Sequence, residues 1–172
     1  MSSIHNKLKG GDLRSIGKAN TIVSEIANQK EFDKVFKGLF DDDRLVIMRS
    51  ADAVEKITVS HPEYLGKYKY KLIELMQTAN HIELKWHLAQ LMSRLELDEK
   101  ETGIVWDKLT QWANDKKGIR IARVFSLQTL FDIQKQYPEL KKDFMDTLAK
   151  LDRENIPSIK ARIRKLRKDK SL

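Results

Sequence analysis

A spacing of 38 residues constrains this chain more than any other feature of it. LVIMRSADAVEKI begins at Leu45, ELKWHLAQLMSRL at Glu83 and IARVFSLQTLFDI at Ile121, each 38 after the last. Superposed, they place Val46, Leu84 and Ala122 in one column, then Ala51, Ala89 and Leu127, then Val54, Met92 and Leu130, then Ile57, Leu95 and Ile133. Within each segment the apolar positions recur at i, i+3 and i+4, the period of an α-helix with one buried stripe. A sequence that repeats its core positions at a fixed interval repeats one supersecondary unit. A helix pair of this length cannot bury its own apolar face, so such units must stack into one continuous core.

The segments between these helices echo one another as well. HPEYLGKYKYKLIELM and YPELKKDFMDTLAKL put Pro62 and Pro138 at a separation of 76, twice the period. Proline opens a helix without loss, because the first N–H has no intrahelical partner. Seven glycines, three prolines and few β-branched runs leave no strand pattern. The spacing predicts an all-α fold, with helices over 12–28, 31–40, 43–59, 62–78, 80–96, 99–114, 118–137, 138–150 and 156–169. Ile16, Ala19, Ile22 and Ile26 are predicted to face inward from the first helix, and Ile159, Ile163 and Leu166 from the last. The organisation expected is a flexible tail over 1–11, a single repeat domain over 12–169 and a short tail over 170–172.

The period near 38, the acidic turn Asp41–Asp42–Asp43 and the inner helix of branched residues and alanine resemble HEAT repeats, within the armadillo-like α-α superhelix group. The likeness spans roughly residues 12 to 168, about four helix pairs, and is closest to small bacterial-type members. In that family an arginine follows the branched residue of the inner helix. Here the position holds Ile47, Lys85, Arg123 and Lys160, and Arg49 stands near the vacancy in the first repeat. The resemblance implies a superhelix whose inner helices line a concave, partner-binding side. It also brings to mind HEAT-like DNA glycosylases, which need an aspartate one turn after a tryptophan. Trp86, Trp106 and Trp112 are followed instead by Gln90, Thr110 and Lys116, and the chain is short to wrap a duplex, so that activity is disfavoured.

Composition narrows the chemistry. There is no cysteine, so disulfides, thiolate nucleophiles and cysteine-ligated zinc are excluded. His5, His61, His81 and His87 form no His-Glu-x-x-His pattern, no serine sits in a nucleophile elbow, and no glycine-rich loop follows a strand. The three aspartates read as helix capping rather than cation binding. No metal, no cofactor and no catalytic residue is expected. The N-terminus lacks a secretory signal and no stretch has the roughly 20 apolar residues of a membrane helix, so a cytoplasmic protein is expected.

Two surfaces remain as binding candidates. On the inner helices Arg49, Asp52, Lys56, Lys85, Gln90, Arg94, Arg123 and Gln128 are expected to be exposed, while Trp86 reads first as a packing residue and second as an aromatic anchor. Their mixed charge suits another protein, particularly one with an acidic surface. Arg49 and Asp52 read first as scaffold or surface residues and second as ligand contacts. The other surface is the C-terminal end. Lys160 to Lys170 carries seven basic residues and one acid, which is most of the net +8 of the chain. Lys160, Arg164, Arg167 and Lys168 fall on one side of the last helix, where they read first as a solubilising cap, then as suiting a nucleic-acid backbone, then an acidic protein partner; anionic lipid is disfavoured, with three aliphatic anchors and no aromatic. The leading expectation is a non-enzymatic protein-binding scaffold, with a nucleic-acid-binding repeat protein as the alternative.

Overall fold

The computed structural model describes residues 3–9 and 17–169, with side chains over 6–9 and 21–169. Every regular element among them is helical. The expected inward placement of Ile16 and of the Ala19 side chain lies outside the described residues. Contacts gather the chain into two compact units, Met1–Tyr70 and Lys71–Leu172. Within each, helices pair and stack in the manner of an α-α superhelix.

The first unit contains α1 (Ser3–Leu8), α2 (Gly17–Glu25), α3 (Gln29–Lys37) and α4 (Arg44–Ser60), with 3-10 turns at Gly38–Phe40 and Pro62–Tyr68. Helix α3 starts where Asn28 Oδ1 accepts from the Glu31 N–H at 3.0 Å and Glu31 Oε2 accepts from the Ala27 N–H at 2.9 Å. These bonds satisfy donors that the first helical turn leaves open. The acidic turn works in the same way for α4, as Asp43 Oδ1 accepts from the Leu45 N–H at 2.8 Å while Asp41 Oδ1 holds the Asp43 N–H at 2.9 Å. Capping is therefore what this acidic run supplies. Helix α4 lies at the centre, against α1, α2, α3 and both 3-10 turns, and Val46, Ala51 and Val54 are wholly removed from solvent.

Phe36 of α3 stacks on Tyr68 with ring centroids 3.6 Å apart, and Phe32 lies tilted against Tyr64 and Tyr68. Beside them Asp33 gathers Gln29, Lys67 and Tyr68. Burial and then the Asp33 carboxylate push the Tyr68 phenol well above its ordinary value, so it remains a hydrogen-bond donor. This cluster explains why 62–78 is not one helix. The tyrosines must turn back on α3, and the Pro62–Tyr68 turn does so before α5 begins.

The second unit holds α5 from Lys71 onward (the helix spans Lys69–Thr78), α6 (Ile82–Met92), α7 (Glu99–Asn114), α8 (Arg120–Gln136), α9 (Lys141–Arg153) and α10 (Pro157–Leu166). Asp98 and Glu101 form a reciprocal capping box at the start of α7, both bonds 2.8 Å long. Helix α8 is the hub, packed against α6, α7, α9 and α10. Bonds between elements recur at about one repeat. Thr129 Oγ1 donates to the Ala89 carbonyl at 2.8 Å and the Tyr137 hydroxyl to the Leu97 carbonyl at 2.6 Å, both across 40 residues. Trp106 Nε1 donates to Asp143 at 2.6 Å across 37. Proline again opens a 3-10 turn, Pro138–Leu140, ahead of α9. Asn155, at φ 61°, turns the chain between α9 and α10 in the left-handed region that asparagine tolerates.

All twelve residues of the four repeat columns are buried, as are Ile22, Ile26, Ile159, Ile163 and Leu166. The segment Ser3–Leu8, within the expected tail, is helical and its Leu8 is fully enclosed.

One glycine is dictated by close approach. A Cβ at Gly38 would lie 2.0 Å from Ser50 Oγ and 3.1 Å from Ser50 Cβ, because the end of α3 presses on α4. Gly103, inside α7, has open space around it. Gly38→Ala is expected to destabilise the fold by about 1–3 kcal/mol through overpacking, whereas Gly103→Ala should stabilise it by up to about 1 kcal/mol through helix propensity. Urea unfolding of the two variants checks the opposite signs.

Candidate protein-interaction face

The 38-residue register that buries four columns also fixes what lies beside them. Met48, Trp86 and Val124 share a column, as do Asp52, Gln90 and Gln128, then Lys56, Arg94 and Asp132. All nine are half-buried. They sit at i, i+4 and i+8 of their helices, so each helix presents one partly open stripe next to its core stripe. On α4 the stripe is joined by Lys56 Nζ bonding Asp52 Oδ2 at 2.7 Å, and on α8 by Gln128 Nε2 bonding Asp132 Oδ1 at 2.9 Å. On α6 the Gln90 side chain turns back to the Trp86 carbonyl at 3.4 Å.

In the second unit α10 extends this surface. Arg162 Nη1 donates to Gln128 Oε1 at 2.7 Å, and its guanidinium lies 5.7 Å from the centre of the Phe125 ring. Arg162, Gln128 and Asp132 therefore form a polar chain from α10 along α8, with Phe125 beneath the cation. Partial burial pushes the Asp132 carboxyl above its ordinary value, although the Gln128 hydrogen bond and the charges of Lys135 and Arg162 pull the other way. Asp132 was legible as a member of the Lys56–Arg94 column. Arg162 was not, because α10 departs from the 38-residue register: its bond to Gln128 spans 34 residues.

Two expected surface residues are not on the surface. Arg49 is 1% exposed and Arg123 2%. Arg49 Nη1 donates to the carbonyl of Leu8, the last residue of α1, at 2.8 Å. Arg123 Nε donates to the Ala113 carbonyl near the end of α7 at 2.7 Å, and Nη2 binds Glu154 Oε2 at 2.8 Å. The last carbonyls of a helix have no partner within it and carry the negative end of its dipole. A long inner helix that crosses such an end carries a cation there, and burial of that cation follows. Lys85, one repeat before Arg123, stays half-buried. His87, one repeat after Arg49, is buried, while Trp106 and Trp112 are core residues.

The basic end is partly neutralised within the unit. Asp152 takes Arg167 Nη2 at 2.8 Å and Lys160 Nζ at 3.5 Å. Desolvation by itself raises the Asp152 carboxyl, but the hydrogen bonds and charges of Arg167 and Lys160 together outweigh it and hold it below its ordinary value. Arg164, Lys165 and Lys168 are exposed and have no ion pair among the described residues. Ile159, Ile163 and Leu166 are already spent on the core, so the helix has no apolar face left for lipid. No helix among the described residues is long and apolar enough to cross a membrane, and no group of three or more His, Cys, Asp or Glu gathers there in an arrangement fit for a metal.

Two outcomes follow for the charges. Arg123→Met is expected to cost about 3–5 kcal/mol, since it leaves Glu154 enclosed without its cation; adding Glu154→Leu should recover most of the loss, as a double-mutant cycle by chemical denaturation would show. Asp132 has its pKa raised in the folded state, so its carboxylate costs stability above that pKa. The cost fades as pH falls through the folded value toward the unfolded one. Asp132→Asn should therefore raise the melting temperature at pH 7 and leave it unchanged at about pH 3, below the usual Asp range.

The chain matches the HEAT repeat domain family over residues 5–170. That match carries no subgroup within the family. No curated protein and no solved structure matches it. With one family model spanning nearly the whole chain and a repeat register realised in its buried columns, the chain belongs to the HEAT repeat domain family.

Proposed function

We propose that this protein is a non-enzymatic interaction scaffold that receives a protein partner on the half-buried stripes of its inner helices, chiefly those of α6 and α8 in the second unit. The observation that carries this reading is the constancy of the stripe. Its nine positions keep the same partial exposure in three successive repeats while their side chains range over Met, Trp, Val, Asp, Gln, Lys and Arg. The neighbouring columns stay apolar and enclosed. A scaffold of this kind holds side-chain positions rigidly and leaves their identity free, which is how a repeat surface is fitted to a partner.

In the second unit the stripe supplies Trp86, Gln90 and Arg94 from α6 and Gln128 from α8, with Lys85 at its edge. Trp86 is the aromatic anchor of this set, as tryptophan and arginine dominate the energetics of protein interfaces. Lys85, which has no carboxylate partner among the described residues, favours an acidic partner surface. In the first unit Asp52 and Lys56 neutralise one another, and Arg49 supports the face from below rather than contacting a ligand.

A second reading has its own observation. Arg164, Lys165 and Lys168 stand exposed and without ion pairs among the described residues, a surface that suits phosphates. Lys160 and Arg167 contribute less to it because Asp152 holds both.

Affinity capture from native extract, with and without nuclease, separates the two. The scaffold reading expects a discrete protein that is retained after nuclease treatment, is lost at least tenfold with Trp86→Ala/Arg94→Glu, and is unaffected by Arg164→Glu/Lys168→Glu. Capture that vanishes with nuclease and with the α10 charge reversals, while the α6 variant binds normally, would overturn it in favour of nucleic acid.

A further inference from the structure

A pocket of about 160 Å³ opens between the start of α6 and the α7–α8 turn. Its walls include Ile82, Trp112, Ile119 and Ala122, and Lys85 and Lys117 stand among its lining residues. Ile82 is 45% exposed although it is a large aliphatic residue at a helix start, so the apolar lining continues onto the surface. A volume of this order holds one aliphatic or small aromatic group.

The charges around the pocket are unbalanced. Most lysines with an ordered partner in this fold pair with carboxylates, as Lys7, Lys56, Lys67, Lys135 and Lys160 do. Lys85 and Lys117 have no carboxylate partner among the described residues. Asp115, the one acid in the lining, is turned onto its own loop, where Oδ1 accepts the Lys117 N–H at 3.0 Å. Arg123 closes the inner wall with its charge already balanced by Glu154. Helix α8 begins beside the pocket with no capping side chain and no acid in its first turn, which leaves the positive end of its dipole uncompensated.

We propose that this pocket takes an aliphatic side chain of a protein partner together with the carboxylate of an adjacent acidic residue. The aliphatic group fills the space over Trp112 and Ala122, and the carboxylate lies between the ammonium groups of Lys85 and Lys117. Charge complementarity selects the occupant: an apolar wall with two unpaired cations at its edge discriminates an acidic–apolar pair from either group alone. This extends the protein-scaffold reading and rests on it for the nature of the partner. The pocket itself lies beside the inner stripe and contains none of its nine residues; Lys85 stands at the edge of both.

Titration of the ¹⁵N-labelled full chain with the blocked peptide Gly-Ser-Leu-Glu-Ser-Gly tests the proposal. The expected result is saturable movement of the Ile119 and Ala122 amides and the Trp112 indole. Peptides with Gln for Glu, or Gly for Leu, should bind at least fivefold more weakly. Lys85→Gln/Lys117→Gln should weaken the Leu-Glu peptide at least fivefold, while Lys142→Gln/Lys150→Gln, which removes the same charge from α9, leaves it unchanged. Equal affinity for the Glu and Gln peptides, or no movement at the three reporters, would overturn the proposal. So would a ten-nucleotide oligothymidylate that moves those reporters where the peptide does not, since the cations then serve phosphates. Because the titration uses a synthetic peptide, its failure with capture of the partner intact removes the pocket alone. Failure of capture with the titration intact removes the inner-stripe reading alone.

Discussion

A helix in a two-helix unit has more apolar surface than its own partner can cover, and the remainder must be covered by the next unit. Helix α8 shows the result: it meets α6 and α7 before it in the chain and α9 and α10 after it. The enclosed columns Ala122, Leu127, Leu130 and Ile133 are the sequence expression of that arrangement. Everything else in the second unit is arranged around the need to close this core. Thr129 can approach Ala89 because alanine leaves room for the backbone carbonyl, and the partly open stripe exists because a helix packed on several sides still has one edge at which its neighbours diverge.

The same closure explains the buried arginines. Tight packing of a long helix across the end of another brings it against carbonyls that have no helical donor, and water is excluded from them. A guanidinium answers this better than a hydroxyl or an amide, as it reaches far and carries several fixed donors. Arg123 uses two of them on two different elements, Ala113 and Glu154. Arg49 performs the equivalent task on α1. The two sit at different places in the repeat, so the requirement is set by where a neighbouring helix ends and not by the register.

That difference marks what the sequence could and could not disclose. The register, the helix content and the buried columns are local and periodic, and Val46, Leu84 and Ala122 reveal them by spacing alone. The acidic turn and the capping box of Asp98 and Glu101 are likewise written in neighbouring residues. The burial of Arg49 and Arg123 is not, because charge and position on the helix are what a solvent-facing arginine would also show. Their partners lie 41, 10 and 31 residues away. The 3-10 turns after Pro62 and Pro138 were read as helix for a related reason: proline starts both structures equally well, and the choice at Pro62 depends on Tyr64 and Tyr68 meeting α3. On the candidate face, Trp86, Gln90 and Gln128 are legible as polar or aromatic positions of the inner helices, whereas Arg162 depends on an irregular last repeat, and Lys117, beside the pocket, on a loop.

The turn at Asn155 bears on how this chain emerges during synthesis. Glu154 is placed against Arg123 only once α9 has ended and the chain has begun to turn toward α10. Growing from its N-terminus, the polypeptide therefore produces α7 and α8 complete with their apolar columns while the cation between them still lacks its acid. The charge that α7 and α8 enclose is thus balanced by a residue of the following repeat. Repeat proteins are commonly pictured as lengthening by independent, self-sufficient increments; here one increment is finished by an atom belonging to the next.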